Sequence, residues 1–330
     1  MADRTRGEDA IIADYFAPVA GEGGFGLRDD AAAFSPAEGC DVVVTADALV
    51  SGVHFFPDDP PAAIARKALA VNLSDLAAKG ANPRGFVISL ALEDDWREEW
   101  LAEFAGGLGY AARIYGCPLM GGDTVRAAGP FWVSITAFGE VPKGRMVHRF
   151  SALAGDIVCV SGTIGDAALG LKLRGGATAP WTMKVGLEQR VVLTDRFVHP
   201  QPRLALAPIL RERVRAAMDV SDGLAGDLAK MCRLSGVGAD VDLSLVPVSV
   251  AADAARRLHP PLFDVMMTGG DDYEILCATP PENLDALLAD CETIGLRMTP
   301  IGHFRQGECT AIFRDDDVEK RYEKASFSHF

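Results

Sequence analysis

Short apolar runs rich in valine and alanine alternate with helix-length segments along the whole chain, and the alternation breaks only once, at residues 144–155. Such a pattern folds as helices layered on sheets. At 330 residues the chain exceeds the roughly 250–300 that one core usually fills. The break therefore divides two α+β domains, 1–149 and 150–330. In the first, residues 10–20 read as a short helix and 41–47 as a strand, because Val42, Val43 and Val44 are β-formers between polar neighbours. Pro60-Pro61 opens a helix that runs to Lys79, with Ile64, Ala68, Val71 and Ala78 near helical spacing. Strand 86–92, helix 97–115 and the alternating strand 131–141 follow. In the second, strands are expected at 157–161, 216–220, 265–268, 273–278 and 299–304. Helices are expected at 166–173, 203–213, 224–234 and 282–291.

Charge narrows the partners. Lys and Arg number 32 against 46 Asp and Glu, a formal net charge of -14. That field repels a nucleic-acid backbone or an anionic membrane, and no basic run offsets it. No apolar leader follows the charged start, and no run approaches the roughly 20 apolar residues a spanning helix needs. A soluble, cytoplasmic protein is expected. Seven cysteines stand singly, without a Cys-x-x-Cys, and read as reduced, mostly buried thiols. Six scattered histidines give no zinc-ligand spacing.

The common nucleotide motifs fail. A P-loop would need lysine after Gly165 to Gly170, where Leu171 stands. Gly21-Glu22-Gly23-Gly24-Phe25-Gly26 satisfies Gly-x-Gly-x-x-Gly but lacks the strand before it, and reads as a flexible surface loop. A different echo stands out: Met120-Gly121-Gly122-Asp123 recurs as Thr268-Gly269-Gly270-Asp271. A glycine pair lets the backbone approach a ligand, and the aspartate can hold a cation there. Chance explains two short matches equally well.

The aspartates carry more weight. Asp30 follows the glycine-rich loop, and Asp47 ends the valine strand with Thr45 on the same face. Asp75 interrupts an apolar helix, Asp123 follows two glycines, and Asp219 and Asp222 bracket a strand-to-helix junction. If they converge, neighbouring carboxylates about 4 Å apart repel by roughly 4 kcal/mol per pair at an effective dielectric near 20. Cations relieve that repulsion. Carboxylates and hydroxyls are the ligands of Mg²⁺, which arrives with substrate phosphates. The chemistry indicated is Mg²⁺-dependent phosphoryl transfer.

At this point the motifs resemble those of the thiamine-monophosphate kinases. They are Thr45-Ala46-Asp47-Ala48-Leu49-Val50-Ser51-Gly52-Val53-His54-Phe55, Asn72-Leu73-Ser74-Asp75, Gly121-Gly122-Asp123-Thr124, Val160-Ser161-Gly162, Met218-Asp219-Val220-Ser221-Asp222-Gly223 and Gly269-Gly270-Asp271-Asp272-Tyr273-Glu274. The resemblance covers essentially the whole chain. It implies a homodimer in which N-terminal strands of two subunits join into an intersubunit β-barrel. The 1–149 domain would hold metal and ATP, and an α/β-type domain, 150–330, would complete the nucleotide and substrate site. It implies direct transfer of the γ-phosphoryl of ATP to thiamine monophosphate, giving thiamine diphosphate and ADP, with no catalytic nucleophile.

Carried over by position, Asp30, Thr45, Ala46 (by its carbonyl), Asp47, Asp75, Asp123, Asp219 and Asp222 would hold several Mg²⁺ ions. Gly122, Asp123, Arg149 and Ser221 would contact ATP, and His54, Asp271 and Phe327 the thiamine substrate. On the residues alone, His54 reads as a buried structural histidine and Arg149 as half of a surface ion pair. The chain departs from the family in four places. Ala46 stands for a usual threonine, Asp271 for a usual glutamate, Arg28 for a glycine, and Phe327 for a Trp or Tyr. Two alternatives remain. One is a sister ATP-dependent enzyme, such as a selenophosphate synthetase, although no Cys precedes Cys40. The other is a non-catalytic Mg-nucleotide sensor.

Overall fold

The computed structural model describes residues 7–176, 179–316 and 318–322. The chain forms two compact units, one of Met1–Leu76 with Ala81–Gly144, the other of Ala77–Gly80 with Arg145–Phe330.

Unit 1 begins with an irregular helical stretch: α1 (Glu8–Ile11), a π-helical turn Ile12–Phe16 and the 3-10 turn Ala17–Val19. A further 3-10 segment, Glu22–Leu27, carries the glycine-rich motif. The remaining elements are β1 (Cys40–Val50), α2 (Pro61–Ala78), β2 (Asn82–Leu92), α3 (Glu98–Tyr115), β3 (Leu119–Arg126) and β4 (Trp132–Pro142). The sheet order is β1-β4-β2-β3, antiparallel except where β2 runs parallel to β3. Helix α2 starts on a proline and is apolar almost all round. Ala65, Leu69, Leu73 and Leu76 have no exposed surface, as befits a central helix. Strand β1 is two-sided: Val43 and Leu49 are buried, while Val42, Val44, Ala46 and Ala48 lie on the other face, exposed.

Unit 2 contains β5 (Ile157–Ser161), α4 (Asp166–Arg174), α5 (Leu187–Val198), α6 (Ala207–Arg213), β6 (Ala216–Asp219), α7 (Leu224–Ser235), β7 (Gly238–Asp242), α8 (Val250–Leu258), α9 (Leu262–Thr268), β8 (Ile275–Thr279), α10 (Leu284–Thr293), β9 (Met298–Arg305), β10 (Ala311–Asp315) and β11 (Val318–Lys320). They build one mixed sheet in the order β11-β10-β7-β9-β5-β8-β6. Alternate residues of its central strands feed two cores. Val158, Val160, Leu276 and Ala278 enter the larger; Cys159, Ile275 and Cys277 enter the smaller. A strand buried on both faces reads as a continuous apolar run, which is why these strands stood out in the sequence.

Three expectations fail. Asp47, expected to end its strand, lies inside β1, because Ala48, Leu49 and Val50 go on pairing with β4. The strand expected at 265–268 is the end of α9, because Pro260-Pro261 precede a helical turn whose Leu262 and Met266 share the buried face at i, i+4. A four-residue apolar run fits either period. Strand β8 starts at Ile275, two residues later than expected, because Tyr273 has φ 51° and leaves the extended region. Strand β3 escaped notice because Gly121 and Gly122 dilute its β-formers. All seven cysteines are free, five of them buried. Among the described residues no helix is long and apolar enough to cross a membrane.

Candidate active site

In unit 1 the acids present themselves along one sheet and the loop before it. Asp30, Asp47 and Asp123 are exposed and Asp75 is half-buried. Thr45 on β1 donates its hydroxyl to Asp75 Oδ2 on α2 at 2.5 Å, so two residues that the resemblance grouped do meet. The next contact along the same strand is one the sequence gave no reason to single out. Asn72, fully buried on α2, accepts the backbone N–H of Asp47 at 3.0 Å and donates to Ala68 O. One helical turn of α2 thus fixes both the hydroxyl and the main chain that carry the acid set.

Asp30 and Gly122-Asp123, more than ninety positions apart, line the same cavity of ≈ 470 Å³. Its other walls include Phe16, Leu27 and Leu90. That volume lies within the usual range of a small-molecule site. The glycine-rich loop forms part of its rim without being loose: Gly24 is buried, and Gly21 N donates to Leu119 O at 2.7 Å. In β3, a methyl at Gly122 would lie 2.0 Å from Ile88 O, so this glycine admits the neighbouring strand.

His54 lies on the turn after β1. Its Nδ1 accepts the backbone N–H of Val50 at 3.0 Å, which places the ring proton on Nε2 in the neutral imidazole. Lys67, a nearly fully buried lysine of α2, donates to the His54 carbonyl at 2.9 Å. The turn is therefore anchored from both sides.

In unit 2 the acids pin loops. Asp219 ends β6, buried, and Ser221 and Asp222 follow at half exposure. Asp227, fully buried in the first turn of α7, accepts the N–H groups of Ser221 at 3.1 Å and Asp222 at 3.0 Å. Lys230 bridges Asp227 and Asp222 at 3.2 and 3.1 Å. Burial pushes the Asp227 carboxyl up to about 6, against the pull of the Lys230 ammonium.

The second Gly-Gly-Asp leads out of α9 into a loop laced to this one. Asp271 N donates to Ser221 O at 2.9 Å, Tyr273 N to Val220 O at 2.8 Å, and Val220 N to Glu274 O at 2.8 Å. A methyl at Gly270 would lie 2.2 Å from Ser221 O. The two Gly-Gly-Asp copies thus differ in local fold, strand against loop, yet in each the second glycine abuts a neighbouring carbonyl. Asp271 and Tyr273 take φ of 72° and 51°, a left-handed conformation that costs each non-glycine residue about 1–3 kcal/mol.

Glu274 holds the loop's far end. It has no exposed surface and accepts from Ser161 Oγ at 2.6 Å, Arg196 Nη2 at 2.9 Å and both Nε (2.7 Å) and Nη2 of Arg203. Asp272, buried, accepts from Gly165 N at 2.7 Å and Ala167 N at 3.3 Å, and burial holds its carboxyl well above the ordinary range. None of Asp227, Asp272, Glu274, Arg196 or Arg203 was given a role from sequence. Arg149 is exposed in this unit. Phe327 lies outside the described residues.

Among the described residues, no three His, Cys, Asp or Glu side chains form a group that could hold a metal ion. The donor chemistry itself is hard oxygen throughout, the kind that binds Mg²⁺ through one or two carboxylates with substrate phosphates and water making up the shell.

Both halves of the chain match one class of protein: AIR synthase related protein, N-terminal domain, over residues 28–141, and its C-terminal domain over 154–313. Within that class the resemblance narrows. The thiamine-monophosphate kinase of Escherichia coli K12 is 38% identical over 338 aligned positions, covering 98% of each chain. The solved thiamine-monophosphate kinase of Stenotrophomonas maltophilia K279a superposes with a TM-score of 0.79 at 38% identity, over 87% of this chain and 89% of that one. AaThiL, solved in complex with AMPPCP and TMP, gives 0.77 at 29% identity, over 93% and 97%. The chain belongs to the thiamine-monophosphate kinase family.

Proposed function

We propose that the protein transfers the γ-phosphoryl of ATP to thiamine monophosphate, releasing thiamine diphosphate and ADP. The observation that carries this is the end-to-end kinship with thiamine-monophosphate kinases, 98% of both chains in the Escherichia coli case. AaThiL, which holds AMPPCP and TMP together, supplies the pairing of a nucleotide analogue with the acceptor. The ≈ 470 Å³ cavity beside Gly122 and Asp123 is of a size for the nucleotide.

Asp30, Thr45, the Ala46 carbonyl, Asp47, Asp75 and Asp123 in unit 1, and Asp219 and Asp222 in unit 2, are the residues we assign to Mg²⁺. When bound, Mg²⁺ neutralises phosphate charge and aligns the reacting oxygens. Gly122 and Asp123, and in unit 2 Arg149 and Ser221, are assigned to ATP; His54 and Asp271 are assigned to the acceptor. The acceptor phosphate, with a second pKa near 6, is largely ionised at pH 7, so no side chain need take a proton from it. The protein's work is orientation. Asn72 fixes the main chain of β1 at Asp47, Thr45 holds the Asp75 carboxylate of α2, Asp227 fixes the 219–222 loop, and the Val50 N–H fixes the His54 ring.

We read the apolar outward face of β1, with Val42, Val44, Ala46 and Ala48 exposed, as the seat of a second copy, which would join the sheet into a homodimer barrel. Unpaired thiols fit a reducing, cytoplasmic compartment. The deciding experiment measures ADP release with Mg-ATP, with and without thiamine monophosphate. Release that requires thiamine monophosphate, with thiamine diphosphate as co-product, supports the assignment. Nucleotide binding without acceptor-dependent release would falsify it in favour of a sensor.

A further inference from the structure

We infer that Tyr273 is a positioning residue for the acceptor: its phenol aims the Asp271 carboxylate at the thiamine portion of thiamine monophosphate. The inference rests on the assignment of Asp271 to that substrate. Tyr273 Oη lies 3.2 Å from Asp271 Oδ1. An ionised carboxylate only accepts, so the phenol is the donor. One carboxylate oxygen is thereby tied to a ring that cannot swing away. Tyr273 is buried, its N–H is bound to Val220 O at 2.8 Å, and the next residue is Glu274, clamped by Ser161, Arg196 and Arg203.

The backbone supports the same conclusion. Asp271 and Tyr273 both hold left-handed φ, and the two cross-loop bonds to Ser221 O and Val220 O keep them there. Alternate residues of a turn so bent bring the side chains of 271 and 273 to one side, where the phenol meets the carboxylate. An aspartate has one fewer rotatable bond than the glutamate usual in the family, so its reach is set by where the backbone puts it. Fixing that direction in advance spares the ordering cost otherwise met on binding. The carboxylate can then meet a thiazolium cation or an aminopyrimidine N–H without searching for its conformation.

A purely structural role for the hydroxyl, as a strain-relieving bond, predicts different kinetics, so the test is a cycle. Tyr273→Phe, Asp271→Ala and the double variant are compared by KM for thiamine monophosphate, KM for ATP, kcat and melting temperature. In the wild-type background Tyr273→Phe is expected to raise KM for thiamine monophosphate by about tenfold, the size of one hydrogen bond to a charged group, with KM for ATP and kcat held. In the Asp271→Ala background the same change is expected to add nothing. A Tyr273→Phe variant with unaltered KM, alongside an Asp271→Ala variant with a raised one, overturns the inference and leaves the Asp271 assignment standing. Equal effects in both backgrounds, or on both substrates, overturn it as general destabilisation. If Asp271→Ala itself leaves acceptor KM unchanged, the assignment of Asp271 fails and the inference with it.

Discussion

In unit 1, Asp30 in the loop before β1, Asp47 within β1 and Asp123 within β3 stand exposed, whereas in unit 2 Asp227, Asp272 and Glu274 are buried and saturated with N–H and guanidinium donors. The same side-chain chemistry thus serves two ends. Exposed carboxylates have not been taken out of water and stand open to a cation. Buried ones must be matched where they sit, or the fold loses stability. An acid that touches many protein donors is scaffolding; one that faces open space is available to a ligand.

The comparison breaks first at Glu274. Glu274→Ala leaves Arg196 and Arg203 facing each other without their carboxylate, and is expected to cost about 3–5 kcal/mol in denaturant unfolding. A loss under about 1 kcal/mol would show that burial of this cluster is not what holds the loop. Next comes Asp75, which straddles the two classes: half-buried, yet bonded to Thr45. Asp75→Asn is expected to keep the fold while lowering kcat by at least about a hundredfold, as loss of a charge-stabilising group does. Near-normal turnover at saturating Mg²⁺ would move Asp75 into the scaffolding class. His54→Ala should raise KM for thiamine monophosphate by about tenfold, one hydrogen bond's worth, and more than KM for ATP; the reverse order would move His54 to the nucleotide. Smallest of all, Asp123→Asn should change unfolding free energy by no more than about 0.5 kcal/mol, since it is exposed. A larger loss would mean that unit 1 also builds with its acids.

What could be read in the sequence follows from the same division. A charge beside an apolar or glycine run is visible locally, so Asp47, Asp123 and Asp219 announced themselves, although only Asp219 ends its strand; Thr45 and Asp75 meet across 30 positions. Glu274 could not be read that way. Its partners Ser161, Arg196 and Arg203 are 113, 78 and 71 positions distant, and nothing near it in sequence marks it as buried. Asn72 and Lys67 were hidden for a related reason: polar residues inside a helix reveal their partners only once a strand packs over them. Periodicity located the long helices and doubly buried strands, but the run at 265–268 was too short to distinguish a helical turn from a strand. The second glycine of each pair also serves as a chain crossing, against Ile88 O and Ser221 O, which the sequence did not reveal.

Those crossings set what descent can alter. At positions 122 and 270 a single methyl would strike the carbonyl oxygen of Ile88 or Ser221, and main-chain atoms cannot be moved aside the way a rotamer can. The aspartate that follows each glycine already carries its side chain clear of that contact, although Asp271 does so at a left-handed φ. Substitution is therefore constrained unequally: at these two crossings any side chain must displace main chain, whereas the aspartates beside them, which we assign to ligands, already carry one.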